Sequence, residues 1–142
     1  MSNSERLYFA ARAKRDEDPT PRDNVLDEVA CAEVVSAIYF GEFGEAISEE
    51  NGNSTYWLFQ AFGNTKKWVE VEEPERGDII ISPTGYSSKG AEHGHTGYVM
   101  ESGKIASNDS ATGLFLENYT VDSWKRKFGE VMGFPVKFYR IK

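Results

Sequence analysis

The sequence predicts an α+β domain in which N-terminal helices pack on an antiparallel β-sheet of about five or six strands. Segments with helical spacing come first along the chain, segments with strand character follow, and tight turns link the strands. This order favours helices segregated to one face of an antiparallel sheet. A chain of 142 residues is long enough to bury a substantial core. We therefore expect a single domain that spans residues 1–142.

Three segments in the first half carry helical signals. They are residues 4–14, 24–40 and 54–62. The prolines of "DEDPTPRDN" end the first helix. The second is the main helix, because its apolar residues recur at helical spacing, with Asp23, Asn24 or Asp27 as the N-cap and Gly41 as the stop. An aromatic-rich face and a Ser or Thr cap indicate the third.

Strand signals dominate the second half of the chain. The predicted strands are "KKWVEVEE", "GDIIIS", "HTGYVME", "KIASNDS" and "PVKFYRIK". The first alternates polar and apolar residues, and the second is a compact β-branched run of the kind that is buried between layers. A short helix, "TVDSWKRKFG", lies before the last strand, with Thr120 or Asp122 as its cap and Gly129 as its end.

Composition and charge exclude several functions. The 16 basic residues against 23 acidic ones give a net charge of −7, so a nucleic-acid partner is not expected. Apolar runs are short and the N-terminal residues lack the order of a Sec signal, so we expect neither a membrane anchor nor export by that route. The single cysteine, Cys31, excludes an internal disulfide and a Cys-rich zinc site. No cofactor is expected.

Cys31 lies on the apolar face of the main helix, because Val34, Val35 and Ile38 follow it at helical spacing. Two interpretations remain open. Free cysteines are among the most buried residues, so Cys31 can be part of the core. If the helix instead begins late, the thiol lies in its first turn, where unpaired N–H groups and the helix dipole favour the thiolate.

Both histidines fall within "EHGHTGYVME", as His93 and His95. On a regular strand they would point to the same face and could chelate a metal, with Cys31 or a carboxylate as a third ligand. Gly94 between them argues against regular geometry, and we expect no metal. His93 then belongs to the loop. His95 opens the strand "HTGYVM", where an imidazole can serve as a base toward a thiol on a facing helix.

A third polar group must fix the tautomer of such an imidazole. The turn at Ser102-Gly103 folds "KIASNDS" back beside "HTGYVM" as a hairpin, which brings Ser107, Asn108 and Asp109 near His95. Strand alternation puts Ser107 and Asp109 on one face and Asn108 on the other. Periodicity without the register does not choose among them, and polar turn chemistry also accounts for the cluster.

Four motifs occur in order between residues 24 and 110. They are "CAEVVSAIY", "RGDIIIS", "GHTGYVMESGKI" and "SNDS". This series resembles the NlpC-type and CHAP (cysteine, histidine-dependent amidohydrolase/peptidase) superfamily of cell-wall cysteine peptidases, and "SNDS…G…NYT…W" is similar to phage-type members. The resemblance implies a papain-like fold, with Gly77 and Asp78 as a structural pair.

Carried over residue by residue, the resemblance implies that Cys31 is the nucleophile, His95 the general base, and Asn108 or its neighbour Ser107 the orienting group. The implied reaction is cleavage of a peptidoglycan amide through an acyl-enzyme, by an endopeptidase or an N-acetylmuramoyl-L-alanine amidase. Alternatives are a non-catalytic wall- or protein-binding module on the same fold and an intracellular or secreted thiol amidase toxin.

The implied partner is the stem peptide of peptidoglycan, and we expect a monomer. Trp57, Tyr86 and Tyr98 are candidates to line its groove. The protein would be made in the cytoplasm and act at the cell wall. An endolysin, a virion component of a bacteriophage or export by another route would each bring it there.

Overall fold

The computed structural model describes residues 1–19 and 27–142 of the chain. In chain order the helices and strands are α1 (Asn3–Lys14), α2 (Asp27–Phe43), α3 (Thr55–Phe62), β1 (Trp68–Val71), β2 (Ile79–Ser82), β3 (His95–Val99), β4 (Lys104–Asn108), β5 (Phe115–Thr120), α4 (Val121–Trp124) and β6 (Lys137–Ile141). A 3₁₀ turn at Glu101–Gly103 joins β3 to β4, and a π-helical segment at Lys125–Val131 continues α4. The predicted α+β class is confirmed.

Side-chain caps define where two of the helices begin. The Ser2 hydroxyl accepts a hydrogen bond from Glu5 N at 3.1 Å at the start of α1. The Ser54 hydroxyl accepts one from Trp57 N at 3.5 Å at the start of α3. Each hydroxyl satisfies an N–H group that has no partner within its helix. The helices predicted at residues 4–14 and 54–62 are therefore confirmed.

The main helix, α2, runs farther than predicted. It continues through Gly41 to Phe43, and Gly44 follows with a φ of +70°. A single glycine weakens a helix by only about 1 kcal/mol. Arg6 of α1 offsets this loss, because its guanidinium contacts the Glu42 carboxylate at 2.9 Å and lies 4.6 Å from the ring of Phe43. The predicted stop at Gly41 was thus wrong. The predicted start, residues 24–26, lies outside the described residues.

The six described strands form one sheet in the order β1-β6-β2-β3-β4-β5, and each neighbouring pair is antiparallel. The hairpin predicted at Ser102-Gly103 is confirmed, because both residues take a positive φ between β3 and β4. The edge strand β5 was not predicted. Its residues are mostly half-buried, so the strand signal is weak, and its pairing with β4 holds it in place.

Helices α1, α2 and α3 cover one face of the sheet, which we call the α2 face. Ile79, Ile81 and Tyr98 point into this core, whereas Ile80 points into a second core on the other face. The consecutive isoleucines of β2 are fully buried because both faces are covered, as the sequence predicted for this strand. The sequence did not predict that a helical segment would also cover this other face. Its side chains include Trp124, Phe128, Phe134 and Phe138.

The segment that follows β5 supplies this second cover, and we call its side of the sheet the α4 face. Thr120 caps α4 with a reciprocal pair of hydrogen bonds to Ser123, so the predicted Thr120 cap is confirmed. After Trp124 the backbone widens into π-helical winding that continues to Val131, past the predicted end at Gly129. This winding turns Trp124 and Phe128 toward the sheet, where both are buried.

Asp78 is a structural residue, as the resemblance implied. Its carboxylate is fully buried and accepts two hydrogen bonds from the Arg140 guanidinium, both at 2.8 Å, and one from Glu75 N at 2.7 Å. Gly77 beside it has a φ of +92°, and a side chain there would overlap the backbone of Ser4 in α1. The pair thus ties α1, β2 and β6 together. None of the described helices has both the length and the hydropathy needed to span a bilayer.

Candidate active site

His95 is the first residue of β3, and aromatic rings fix its imidazole. The imidazole lies nearly parallel to the rings of Trp124 and Phe128, with centroids 5.1 and 5.3 Å away and interplanar angles of 24° and 20°. Tyr119 meets it edge-on at 6.0 Å. Because these neighbours belong to the α4 face, the His95 ring lies on that face. The rings restrain the plane of the imidazole and cover most of its surface.

A chain of hydrogen bonds runs from the imidazole across two strands. Ser107 Oγ in β4 lies 3.0 Å from His95 Nε2, and the Ser107 hydroxyl donates to Asn118 Oδ1 in β5 at 2.7 Å. A hydroxyl has a single proton, so Ser107 accepts from the imidazole. His95 Nε2 therefore carries the ring proton, and Nδ1 is the basic nitrogen.

Asn118 was missed in the sequence, and a β-bulge explains why. Tyr119 pairs with Ile105 and Glu117 pairs with Ala106, so Asn118 is an extra residue between them. A bulge interrupts strand alternation and redirects a side chain, here toward Ser107. The sequence shows an asparagine within "LENYT", but the direction in which the Asn118 side chain points depends on the irregular pairing of β4 with β5.

The environment of His95 keeps the imidazole neutral. Burial lowers the pKa of His95 from 6.5 to about 4, and the positive charge of Lys127 contributes to the same shift. Lys127 Nζ donates to the Tyr119 hydroxyl at 2.9 Å and lies 5.3 Å from the ring of Phe128. An unprotonated imidazole at neutral pH is able to accept a proton.

Cys31 is fully buried in the second turn of α2. The helix dipole acts mainly within the first turn. Its effect on the thiol is therefore smaller than it would be if α2 began later and Cys31 lay in the first turn. The hydroxyl of Tyr98 donates to the carbonyl of Val35, one turn farther along α2, at 2.7 Å. This bond fixes α2 against β3 on the α2 face.

The direction of α2 follows from its antiparallel neighbour α1. Asp16, just after α1, donates from its backbone N–H to the carbonyl of Phe115 at 2.8 Å. Arg6, near the start of α1, contacts Glu42, near the end of α2. Therefore α2 begins at the end of the sheet where β5 begins, β4 ends and β3 begins. Cys31 and His95 share this end of the sheet. Cys31 belongs to α2 on the α2 face, whereas the His95 ring lies on the α4 face.

The other two candidates for the orienting group have different surroundings. Asn108 follows Ser107, so strand alternation turns it to the α2 face, where it is buried. The carboxylate of Asp109 accepts hydrogen bonds from Thr112 N at 3.1 Å and Thr112 Oγ1 at 2.8 Å, which is turn chemistry. Of the three residues considered, Ser107 is the one bonded to His95. A catalytic role of Asn108 stays a prediction.

His93 lies in the loop before β3, as predicted. Its side chain is 52% exposed, and its Nε2 lies 3.5 Å from Glu92. Gly94 donates its N–H to Thr84 Oγ1 at 2.9 Å, and a side chain at Gly94 would overlap the Ser82 carbonyl. The two histidines therefore lack the regular strand geometry of a chelating pair. Across residues 1–19 and 27–142, no group of three or more His, Cys, Asp or Glu side chains is placed to hold a metal ion.

Two of the three aromatic residues expected to line the substrate groove are exposed. Trp57 and Tyr86 are 39% and 42% exposed. Tyr98 is fully buried, and its hydroxyl is bonded beneath α2. The prediction that Tyr98 lines the groove was wrong, because strand alternation turns it into the core.

The chain is an α+β domain in which α1, α2 and α3 cover one face of an antiparallel sheet. Cys31 lies in the second turn of α2, and the hydrogen-bonded His95 begins β3. The model of the CHAP domain family matches residues 23–112, more than half of the chain, so the chain belongs to this family. The match includes Cys31 and His95 but ends before Asn118. A comparison with curated proteins finds no match.

CHAP domains are generally amidase or peptidase hydrolases. Membership therefore implies a hydrolase, with peptidoglycan as the substrate and the cell wall as the place of action.

Proposed function

We propose that the protein is a thiol-dependent peptidoglycan hydrolase, either an endopeptidase or an N-acetylmuramoyl-L-alanine amidase, within a single domain. Cys31 is the nucleophile and His95 the general base. The observation that carries this proposal is the chain from His95 through Ser107 to Asn118, with bonds of 3.0 and 2.7 Å. It leaves the basic Nδ1 available for a thiol proton. The shared position of Cys31 and His95 at one end of the sheet supports the pairing.

In the proposed reaction, His95 Nδ1 takes the proton of the Cys31 thiol. The thiolate Sγ attacks the amide carbonyl carbon, the C–N bond breaks, and the imidazolium returns the proton to the leaving amine. Water, deprotonated by His95, then hydrolyses the thioester. A thiol with a pKa of about 8.5 is only slightly ionised at neutral pH, so a nearby neutral imidazole is needed to generate the nucleophile.

Ser107 and Asn118 are positioning residues in this scheme. They hold the proton on Nε2 and the ring in one orientation, which keeps Nδ1 directed away from β4. Asn108 is the alternative orienting group predicted from the sequence. If Asn108 has that role, Asn108→Ala will lower activity more than Asn118→Ala; the bonded chain favours the opposite order.

The test is hydrolysis of purified peptidoglycan by Cys31→Ala and His95→Ala, with His93→Ala as the matched control. We expect Cys31→Ala and His95→Ala to lose nearly all hydrolytic activity. His93→Ala, which changes a half-exposed loop residue, should keep most of it. Mass spectrometry of the products identifies the cleaved bond. A Cys31→Ala protein that digests peptidoglycan at the wild-type rate contradicts the proposal.

A second candidate is a non-catalytic wall-binding or protein-binding module. The complete burial of Cys31 favours it, as does the packing of the His95 ring on the face opposite α2. Iodoacetamide at about pH 6.5 separates the two functions, because an activated thiol is alkylated rapidly and a buried structural one is not. A thiol amidase toxin would be alkylated too, but would leave peptidoglycan intact.

Delivery and assembly are also proposals. We propose a monomer that reaches the wall as a bacteriophage endolysin or virion component. Sedimentation should give the chain mass of 16.0 kDa. Cytoplasmic expression should leave cells intact until a membrane-permeabilising holin is co-expressed; lysis without the holin would contradict this route.

A further inference from the structure

Three aromatic side chains form a contiguous exposed surface, which we call the aromatic platform: Tyr56, Trp57 and Tyr86. They are 38%, 39% and 42% exposed, respectively. Tyr56 meets Trp57 edge-on at 5.1 Å and stacks with Tyr86 at 6.2 Å and 25°. Contiguous exposed rings of this size on a small domain indicate a binding surface rather than chance exposure.

The platform is held rigidly before any ligand binds. Phe59 packs edge-on against the Tyr86 ring at 5.0 Å, and Gln60 Nε2 donates to the Tyr86 hydroxyl at 2.9 Å. Thr55 Oγ1 donates to Thr84 Oγ1 at 2.8 Å, which fixes the loop that carries Tyr86 against α3. Rings held in this way lose little conformational freedom on binding.

Trp57 also forms a wall of a cleft of about 360 Å³ beside the platform. This volume lies within the range of small-ligand sites. Amide, carboxylate and ammonium side chains share the cleft with the indole: Gln60, Asn64, Glu49, Glu50 and Lys67. Planar amides and carboxylates bind neighbouring hydroxyl groups in pairs, and an aromatic face packs against the C–H face of a sugar ring. The chemistry of the cleft thus fits a pyranose.

The platform adjoins the loop that leads into the candidate active site. Thr84, which is bonded to Thr55, also accepts a hydrogen bond from the N–H of Gly94 at 2.9 Å. Gly94 directly precedes His95, and Ser82, just before this loop, pairs with His95 across the sheet. Thr84 therefore ties the loop that carries Tyr86 to the strand end that carries the imidazole.

We propose that the aromatic platform and its cleft are a subsite for the glycan strand of peptidoglycan, in which an N-acetylated sugar ring stacks on Trp57. This inference rests on the proposed function for its substrate and extends it by naming the part of the polymer that binds here. The stem peptide, which carries the scissile amide, is then held nearer to His95.

Tryptophan fluorescence tests this site without requiring activity. All three tryptophans lie in the described residues; Trp68 and Trp124 are 2% and 0% exposed, so Trp57 is the solvent-exposed fluorophore. Chitotetraose, the soluble tetramer of N-acetylglucosamine, is the probe. We expect a saturable blue shift and protection of Trp57 from acrylamide quenching. Tyr86→Ala should weaken binding roughly two- to tenfold, because it removes one ring of the platform.

Phe9→Ala is the matched control, since Phe9 is a 38% exposed aromatic on α1 that contacts Tyr8 and Arg76 and does not line the cleft. The affinity of this variant for chitotetraose should equal that of the wild type. If chitotetraose at up to about 10 mM causes no fluorescence response, the proposal is overturned, because this range includes millimolar dissociation constants. A response to a free stem peptide but not to chitotetraose overturns the assignment to sugar.

Kinetics distinguish this proposal from the proposed function. Tyr86→Ala should raise KM on intact peptidoglycan by a larger factor than it raises KM on a sugar-free cross-linked peptide. If the wild type hydrolyses neither substrate, the proposed function fails, and sugar binding is still decided by fluorescence. Equal KM values for Tyr86→Ala and the wild type on intact peptidoglycan contradict the glycan subsite.

Discussion

Acidification should destabilise the wild-type protein more than a His95→Gln variant, because His95 is buried as a neutral ring. Glutamine still offers a side-chain N–H toward Ser107, and it does not titrate. The folded protein lowers the pKa of His95 from 6.5 to about 4. At about 1.4 kcal/mol for each tenfold change in proton affinity, this difference corresponds to about 3 kcal/mol. Some surface of His95 remains exposed, so we expect about 2 to 3 kcal/mol.

The sign of the effect follows from which state binds the proton. Above pH 6.5 His95 is neutral in both the folded and the unfolded chain, and its contribution to stability is fully present. Below this value the unfolded chain gains a proton that the folded protein does not take up until about pH 4, so the free energy of unfolding falls across this window.

Urea unfolding followed by far-UV circular dichroism, at pH values from about 7.5 to about 4, measures the difference. Glu5 and Glu45 also lose stabilising interactions in acid, because Arg76 and Lys67 lower the pKa of their carboxyl groups. Both proteins share this loss, so their difference isolates His95. His93→Gln, on the half-exposed loop, should follow the wild type. Parallel curves for the wild type and His95→Gln would refute the burial argument.

Three further variants test the site and the fold. Ser107→Ala should lower kcat roughly ten- to hundredfold with little change in KM, because the imidazole loses its orienting bond; equal kcat values would show that Ser107 does not position the ring. Asp78→Asn should reduce the free energy of unfolding by about 2 to 4 kcal/mol in urea titrations, because it disrupts the paired hydrogen bonds to Arg140; a change below about 1 kcal/mol would contradict a structural role. Gly97→Ala should destabilise by about 2 to 3 kcal/mol, since its side chain would crowd the β4 backbone, and an unchanged unfolding midpoint would show that the two strands separate easily.

Local signals in the sequence predicted much of the fold. Ser54 caps α3 through bonds within four residues of itself, so this helix start was available from sequence alone. The buried run of isoleucines in β2 and the turn at Ser102-Gly103 are similarly local. The position of His95 at the start of β3 and of His93 in the loop followed from the glycines and β-forming residues around them.

The rest depends on residues far apart in the chain. The sequence placed Ser107, Asn108 and Asp109 near His95, but only the pairing of β3 with β4 directs Ser107 to the imidazole. Asn118 joins the site through a bulge in β5, a strand with too little buried apolar surface to be recognised by its pattern.

By itself, the sequence determined the order of helices and strands, the helical face that carries Cys31 and the strand that begins with His95, because these depend on spacing between near neighbours. Tertiary structure decided that Trp124 and Phe128 enclose the imidazole, that Asn118 completes its hydrogen-bond chain and that the Cys31 thiol is covered. These features arise from strand register and from packing on both faces of the sheet, which no local pattern encodes.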